Sequence, residues 1–312
     1  MTTPAHRESC SVIVVGAGLA GLAAASAALR SNASAVVLLE RELKPGGNSI
    51  KASSGINGAP TRFQTQAHTD DAFFTDTVKS AGKRMRSSAT ERNQRIGLIE
   101  LLTNNSLAAI NFLADDIGVD LSVVTLLGGH SVARTHRGAG NTPPGADIVL
   151  KLLRSLQDDS RFELRTGCEV IKLLQSAQSV ESDGPPTIAG VEILSDNKLT
   201  SLAGPVIFAT GGFAGDTDNL LAKYRPDLAG LPSTNEPRPG MHGLLVDVGA
   251  HLVDMESVQI HPTGFVDPHS QFSTLKFLAA EVLRGEGGIL LYNGRRFVNE
   301  VDTREHSQVL GL

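Results

Sequence analysis

The sequence predicts an α/β fold built around a parallel β-sheet. Residues 12–15 are a continuous run of β-branched residues, which is typical of a strand buried on both faces of a sheet. Residues 22–30 are rich in alanine and leucine and predict a helix, and residues 35–39 predict a second buried strand. A strand, a helix and a strand in this order form a βαβ unit, from which parallel sheets are built.

The turn between the first strand and the helix carries three glycines, and each has a different structural reason. Gly16 suits a tight turn, Gly18 lets the main chain approach a pyrophosphate, and Gly21 lets the helix pack closely on the sheet. The N–H groups at the start of the helix suit phosphates, and Glu40 at the end of the second strand suits ribose hydroxyls. This Rossmann-like pattern predicts a dinucleotide site without separating FAD from NAD.

Two later segments are also dense in small residues. Residues 46–58 follow the predicted ribose-binding strand directly, where the rest of the cofactor should pass. Residues 204–213 predict another buried strand, which leads through Thr210 into the doublet of Gly211 and Gly212. Nothing after Glu40 forms a nicotinamide site, so three glycine-rich segments favour a large flavin over NAD. A flexible surface loop is the alternative interpretation of residues 46–58.

The remaining chain predicts scaffold and one charged loop. Residues 91–117 have helical spacing, with a break expected at Asn104 and Asn105, and residues 144–157 predict another helix. Short strands are expected near residues 162–166, 169–174 and 188–194, with a polar surface loop over residues 176–186. Residues 128–137 carry His130, Arg134, His136 and Arg137, which suit either an anion site or a solvated loop. Two histidines without further ligands do not predict a metal site.

Composition excludes several classes of protein. The chain has 312 residues, enough for about two domains, and its 28 Lys and Arg against 33 Asp and Glu leave a net charge of −5. That balance argues against a nucleic-acid-binding protein. Two cysteines are too few for a disulfide framework and fit a reducing compartment. The uncharged residues 11–29 fit a strand, turn and helix better than a signal peptide, and no other stretch approaches membrane length.

Seven segments in family order resemble the soluble fumarate reductase flavoproteins of the fumarate reductase/succinate dehydrogenase superfamily, most closely their single-subunit fungal and trypanosomatid branch. They are residues 12–21, 46–58 (GGNSIKASSGING), 128–137 (GGHSVARTHR), 209–215 (ATGGFAG), 261–264 (HPTG), 279–288 (AAEVLRGEGG) and 296–304 (RFVNEVDTR). The resemblance implies a Rossmann-like FAD-binding domain with the start of an inserted capping domain. It also implies non-covalent FAD, since no flavin-linking His is evident around residues 49–54.

The expected FAD-binding residues combine the glycine-rich patterns with this resemblance. They are Gly16, Ala17, Gly18, Leu19, Ala20, Gly21, Glu40, Arg41, Gly46, Gly47, Asn48, Ser49, Ser53, Ser54, Gly55, Ile56, Asn57, Thr210, Gly211 and Gly212.

The resemblance implies hydride transfer from N5 of reduced FAD to fumarate, giving succinate. Arg304 corresponds to the proton donor, Glu281 and Arg284 to the relay behind it, and His261 to a substrate-carboxylate ligand. The residues themselves support part of this, because Glu281 and Arg284 are three apart and share a helix face. An arginine normally stays protonated, so Arg304 needs a dry site and a nearby carboxylate to release a proton. Without the resemblance, Arg304 is a helix-start cation and Glu281–Arg284 a surface ion pair.

The chain also departs from the family pattern. His242 stands where the family has an acidic residue, close to the expected flavin or substrate. This keeps open a sister enoate reductase or an amino-acid or dicarboxylate oxidase of the same fold. Family members continue well past residue 304, so we expect an FAD-binding domain over 1–255 without its return segment and the N-terminal part of a capping domain over 256–312. Residues 309–312 lie inside a predicted helix, so the chain is expected to be truncated, and an inactive flavin-binding remnant is a further alternative.

The expected partners follow from the resemblance. They are fumarate and succinate or a similar dicarboxylate, with reduced flavin as electron donor, and neither a nucleic acid nor a membrane span. The expected location is the cytoplasm, with the mitochondrion as the alternative.

Overall fold

The computed structural model describes residues 11–65, 70–176 and 187–304. Most of the loop predicted at 176–186, and the helix predicted around 309–312, lie outside these residues. The chain forms two compact units. Unit 1 comprises the described residues of Met1–Ile50, Val149–Gly230 and Asn235–Ser257, and unit 2 those of Lys51–Ile148, Leu231–Thr234 and Val258–Leu312. The domain boundary expected between residues 255 and 256 stays a prediction.

The described elements are strands, most of them short, and helices of very different length. The strands are β1 (Ser11–Val15), β2 (Ala35–Leu39), β3 (Ile56–Asn57), β4 (Val123–Thr125), β5 (Thr135–Arg137), β6 (Phe162–Arg165), β7 (Glu169–Gln175), β8 (Ile188–Ser195), β9 (Lys198–Ala203), β10 (Val206–Phe208), β11 (Gly264–Phe265), β12 (Phe277–Leu278), β13 (Leu291–Tyr292) and β14 (Arg295–Arg296). The helices are α1 (Leu19–Arg30), α2 (Ala72–Ser80), α3 (Ala89–Asn111), α4 (Pro144–Gln157), α5 (Leu220–Tyr224), α6 (His242–Val246) and α7 (Glu281–Gly285).

Unit 1 is built on a parallel sheet of four strands in the order β10-β1-β2-β6. Val15 pairs with Leu39 on one side and with Phe208 on the other, so the three strands end together. The apolar runs in β1 and β2 are buried because the sheet is covered on both faces, as continuous β-branched strands require. This confirms the α/β fold. An antiparallel sheet of β7, β8 and β9 also belongs to unit 1.

Helix α1 begins at Leu19, three residues before the predicted start. Gly18 is its N-cap, and Leu22 N donates to Gly18 O at 3.0 Å, which places Gly21 in the first helical turn. Composition alone does not predict this first turn, because Gly21 lies in it and glycine has a low helix propensity.

Unit 2 combines the antiparallel sheet β3-β5-β4 with helices α2 and α3. The predicted break at Asn104 and Asn105 is wrong, since α3 runs through both residues. Asn105 Nδ2 donates to Leu101 O one turn earlier at 2.7 Å, so its amide remains within the helix. A π-helical turn at Phe112–Asp116 follows α3.

The expectation that no later stretch approaches membrane length is also wrong. Within the part of the chain that the structure describes, the helical span Ala89–Asp116 is long and apolar enough to cross a membrane. Its best window has a mean hydropathy of 1.3, and 22 % of that window is buried. This test considers length and composition alone, and Ile99 and Ile110 of the same span are buried in the fold.

A buried ion-pair cluster anchors the loop over residues 128–137. Arg134 is 0 % exposed, and its Nε and Nη2 donate to the two carboxylate oxygens of Asp70 at 2.9 Å each. Its Nη1 donates to Asp76 Oδ2 at 2.7 Å. His136 is also fully buried, with its Nε2 2.6 Å from Thr61 Oγ1. Arg134 is therefore neutralised inside the protein and does not offer its charge to an anion, and the buried centre of the loop is not solvated.

The same cluster controls the ionisation of its carboxylates. Burial alone would raise the pKa of Asp70, but the hydrogen bonds and charge of Arg134 outweigh burial and hold that pKa below its ordinary value of 3.8. The pKa of Asp76 is lowered in the same way, against burial, by hydrogen bonds from Ser131 and Arg134. Both groups therefore stabilise the fold as carboxylates.

We expect Arg134→Met to lower the free energy of unfolding by about 3–5 kcal/mol, because it leaves two buried carboxylates without their cation. Urea denaturation near neutral pH measures this loss. The matched control is Arg62→Met, which breaks the exposed ion pair of Arg62 with Asp115 and is expected to have little effect.

The difference in the free energy of unfolding between wild type and Arg134→Met should become smaller as the pH is lowered. A carboxylate with a lowered pKa contributes stability that is present above its unfolded value, here 3.8, and is lost as the pH falls through the folded pKa. A gap that stays constant as the pH falls, or an equal loss in Arg62→Met, would contradict this account.

Candidate active site

The carboxyl edge of the unit 1 sheet brings the first and last glycine-rich segments together. Gly16 follows β1 with a φ of +101°, and a Cβ there would lie 2.5 Å from Ala209 O, just after β10. A Cβ on Gly21 would lie 1.8 Å from Gly16 O. Gly16 and Gly21 are therefore required by the packing of the protein itself.

Gly18 and Gly212 are glycines that the fold does not require. Gly18 has a φ of −75°, which any residue adopts, and the nearest atom to a Cβ there is Ser49 Oγ at 3.6 Å. A Cβ on Gly212 would meet nothing within 4 Å. Open space beside bare main chain is what a closely approaching ligand needs. The open space beside Gly18 and Gly212 is therefore the observation that supports a dinucleotide at this edge of the sheet.

Glu40 lies at the same edge and is buried. Its Oε2 accepts from Ala17 N at 2.9 Å and its Oε1 from Glu42 N at 3.0 Å. The carboxylate thus fixes the glycine-rich turn, and each oxygen retains a further lone pair. Its contact with a ribose stays a prediction.

The second glycine-rich segment crosses the start of α1. Gly46 N donates to Ala17 O at 2.8 Å, and Ser49 Oγ accepts from Leu19 N at 3.1 Å. Ser49 therefore caps α1 from thirty residues away, a contact that local sequence does not reveal.

The segment of residues 233–243, in which the chain departs from the family pattern at His242, packs on these predicted FAD residues. Asn48 Nδ2 donates to Asn235 Oδ1 at 2.6 Å, and Arg41 Nη1 donates to Pro239 O at 3.1 Å. His242 follows this segment at the start of α6, with its ring edge-on to Phe213 at 5.6 Å between centroids. Its proximity to flavin or substrate stays a prediction.

Five of the expected FAD-binding residues, 53–57, belong to unit 2. Gly55 has a φ of +132°, and a Cβ there would lie 2.4 Å from His136 O, so packing requires this glycine. Asn57 Oδ1 accepts from Thr135 Oγ1 at 2.6 Å. Ser54 Oγ accepts from Val282 N at 3.4 Å, which ties the segment to the first turn of α7.

The three expected catalytic residues lie together in unit 2. Arg304 Nε donates to Glu281 Oε2 at 2.7 Å, and Arg304 Nη2 contacts the same oxygen. Arg284 Nη2 lies 3.7 Å from Glu281 Oε1 on the other side of the carboxylate. Glu281 and Arg284 are each 4 % exposed, so they are a buried pair and not the surface ion pair that spacing alone suggested.

Burial dominates the electrostatics of this group. It lowers the pKa of Arg284, an effect that the positive charge of Arg304 reinforces and the charge of Glu281 opposes. Arg284 Nε and Nη2 are buried without a hydrogen-bond partner among the described residues. Burial likewise lowers the pKa of His261, whose Nδ1 lies 3.0 Å from Thr263 O and whose Nε2 is buried and unpartnered in the described part.

A cavity of about 600 Å³ opens beside the Glu281–Arg304 pair. Its lining includes the apolar residues Ile56, Phe73 and Leu102 and the polar residues Glu281, Arg304 and His130. Gln259 also lines it and places Oε1 3.4 Å from Arg304 Nη1. Its volume is in the range of small-molecule sites. The sequence analysis missed Gln259, which no motif marks.

The chain is similar to known proteins over nearly its whole length. The family described as FAD binding domain matches residues 11–309. Fumarate reductase 1 of Saccharomyces cerevisiae is 43 % identical over 94 % of this chain and 62 % of the yeast protein. Fumarate reductase of Schizosaccharomyces pombe is 36 % identical over 94 % of this chain and 57 % of its own length.

Among solved structures, the open conformation of a flavocytochrome c3 fumarate reductase matches with a TM-score of 0.74 and 27 % identity. The match covers 96 % of this chain and 50 % of that one. This chain therefore spans between about half and three fifths of the length of these relatives.

We expect Gly18→Ala to weaken FAD binding by about tenfold to hundredfold while leaving the fold intact. The added methyl meets no protein atom closer than 3.6 Å but enters the space beside the main chain, and overpacking costs about 1–3 kcal/mol. Titration of FAD into flavin-free protein measures the dissociation constant.

Gly97→Ala is the matched control, because its Cβ would also meet nothing within 4 Å but lies in helix α3. It should bind FAD like wild type. Equal affinity in Gly18→Ala and Gly97→Ala would exclude close approach of the cofactor at Gly18.

Proposed function

Because the chain belongs to the FAD binding domain family, we propose that it reduces an unsaturated dicarboxylate, with fumarate as substrate and succinate as product. The observation that carries the proposal is the contact of Arg304 with the buried carboxylate of Glu281 beside a cavity. The names of the yeast relatives support the choice of substrate. Reduced flavin is the proposed electron donor.

The cofactor fits the residues that the chain offers. We propose that FAD is held without a covalent bond, with the open main chain at Gly18 and Gly212 of unit 1 among the positions that hold it. FAD supplies the hydride when it is bound. The chain's own residues bind and orient the acid, exclude water and move the proton.

Arg304 is the proposed proton donor. A guanidinium rarely gives up its proton, so a donor of this kind needs a carboxylate that restores it at once. Glu281 Oε2 is 2.7 Å from Arg304 Nε and is placed to return the proton. Arg284 lies behind the same carboxylate, and the burial that lowers its pKa makes it a better proton source than an exposed arginine.

His261 is the proposed ligand for a substrate carboxylate. A carbonyl oxygen accepts hydrogen bonds, so the 3.0 Å contact with Thr263 O favours a proton on Nδ1 over the longer contact of 3.5 Å in which Thr263 N would donate to it. The neutral ring then presents the lone pair of Nε2, which repels a carboxylate. Binding of the acid therefore requires a second proton on His261, which the negative charge of the ligand favours.

A bulkier unsaturated acid is the second candidate. The cavity of about 600 Å³ is large for a four-carbon diacid, and the apolar residues Ile56, Phe73 and Leu102 in its lining suit a larger carbon skeleton. Fumarate and aryl-substituted acrylates compared as substrates of the same preparation distinguish the two candidates.

We expect Arg304→Ala to lower fumarate reductase turnover by about a hundredfold or more, because a general acid contributes about 10²–10⁴ to the rate. The assay follows oxidation of reduced methyl viologen under anaerobic conditions, with bound FAD quantified in the same samples. Arg295→Ala, which changes an exposed arginine of β14, is the control and should turn over like wild type. Full flavin occupancy with unchanged turnover in Arg304→Ala would exclude Arg304 as the donor.

We expect the KM for fumarate to rise as the pH rises. Burial lowers the pKa of free His261, a bound carboxylate raises it, and binding therefore takes up a proton across the interval between the two values. Steady-state kinetics between about pH 5.5 and 8.5 cover the range in which histidines titrate. His261→Gln should flatten the dependence, and the same slope in wild type and variant would assign the proton elsewhere.

A further inference from the structure

The glycine doublet before His130 brings its loop against the catalytic group of unit 2. A Cβ on Gly128 would lie 2.6 Å from Asp302 O and 2.9 Å from Glu281 Oε1. Gly129 has a φ of +79°, and its N donates to Val301 O at 2.9 Å. The loop thus contacts both the carboxylate of Glu281 and the segment that ends at Arg304.

The main chain around His130 is fixed on both sides. His130 N donates to Leu127 O at 3.2 Å, and Ser131 N and Oγ each donate to Asp76 Oδ2 at 2.8 Å. The side chain of His130 lines the same cavity as Glu281 and Arg304. Its position relative to the cavity is therefore set by the buried cluster that anchors the loop.

The imidazole has hydrogen-bonding capacity that the described residues do not use. Its Nδ1 is buried without a partner among them, and such a nitrogen destabilises the fold unless something satisfies it. The charged groups that act on the ring are Arg134, Asp76, Asp70 and Glu281. Each of these is already engaged in an ion pair of its own.

Burial favours the neutral form of the His130 ring. Burial lowers the pKa of His130, Arg134 lowers it further, and the three carboxylates oppose this shift. A neutral imidazole carries one N–H donor and one acceptor nitrogen. A neutral His130 therefore adds hydrogen-bonding capacity to the lining of the cavity without adding charge.

We propose, on the premise of the function above, that His130 is a substrate-binding residue that donates a hydrogen bond to a carboxylate oxygen of the unsaturated acid. Arg304 directs Nε and Nη2 to Glu281 and lies 3.4 Å from Gln259 through Nη1, so its capacity to bind the acid is limited. His130 supplies a donor from the loop whose Gly128 lies next to Glu281 Oε1. It acts on binding and not on proton transfer, so its effect falls on KM.

The test compares His130→Leu, which removes the donor, with His130→Gln, which keeps an N–H donor in the amide. The KM for fumarate should rise about tenfold to hundredfold in His130→Leu, as expected for loss of a hydrogen bond to a charged group. It should rise by less in His130→Gln. Turnover at saturating fumarate and bound FAD should match wild type in both, and His269→Leu, at an exposed position, should change nothing.

Three outcomes overturn the inference. An unchanged KM in His130→Leu excludes the hydrogen bond. An equal loss of bound FAD and of turnover in both variants assigns His130 a structural role. If flavin-loaded wild type does not reduce fumarate, the proposed function is wrong and this inference with it. If wild type is active but both His130 variants keep its KM for fumarate, the inference alone is wrong.

Discussion

Burial of carboxylates is the constraint on which the loops of this protein depend. A buried carboxylate must receive hydrogen bonds or positive charge, because its desolvation is otherwise too costly. In the described part of the chain, each of the six most buried carboxylates accepts hydrogen bonds from other residues. These carboxylates are Glu40, Asp70, Asp76, Asp216, Glu281 and Glu300. Loops that lack regular secondary structure are fixed at these points.

Glu281 differs from the other five in the nature of its partners. Arg134 satisfies Asp70 and Asp76 while remaining 0 % exposed, so the cation of that cluster is not accessible to a ligand. Arg304, by contrast, keeps 37 % of its side chain exposed while holding Glu281. A carboxylate shared between a buried arginine and an accessible one joins the interior to a cavity, which is the arrangement that proton delivery requires.

Unsatisfied polar atoms concentrate around the same carboxylate. Among the described residues, seven buried side-chain nitrogen or oxygen atoms lack a hydrogen-bond partner, and four of them belong to His130, His261 and Arg284. All three side chains feel the charge of Glu281. Native proteins rarely leave such atoms unpaired, and those that remain often mark functional sites. The two histidines therefore stand out as positions for a ligand carboxylate.

The sequence by itself determined the βαβ unit at the N-terminus, because buried strands and the glycine turn are local patterns. It also placed Glu281 and Arg284 on one helix face, since that relation depends on a spacing of three residues. Tertiary structure alone decided that this pair is buried, that Arg134 is neutralised by Asp70 and Asp76, and which glycines face open space. These properties depend on contacts between residues far apart in the chain, and local spacing does not encode how deeply a charge is buried or what lies across from it.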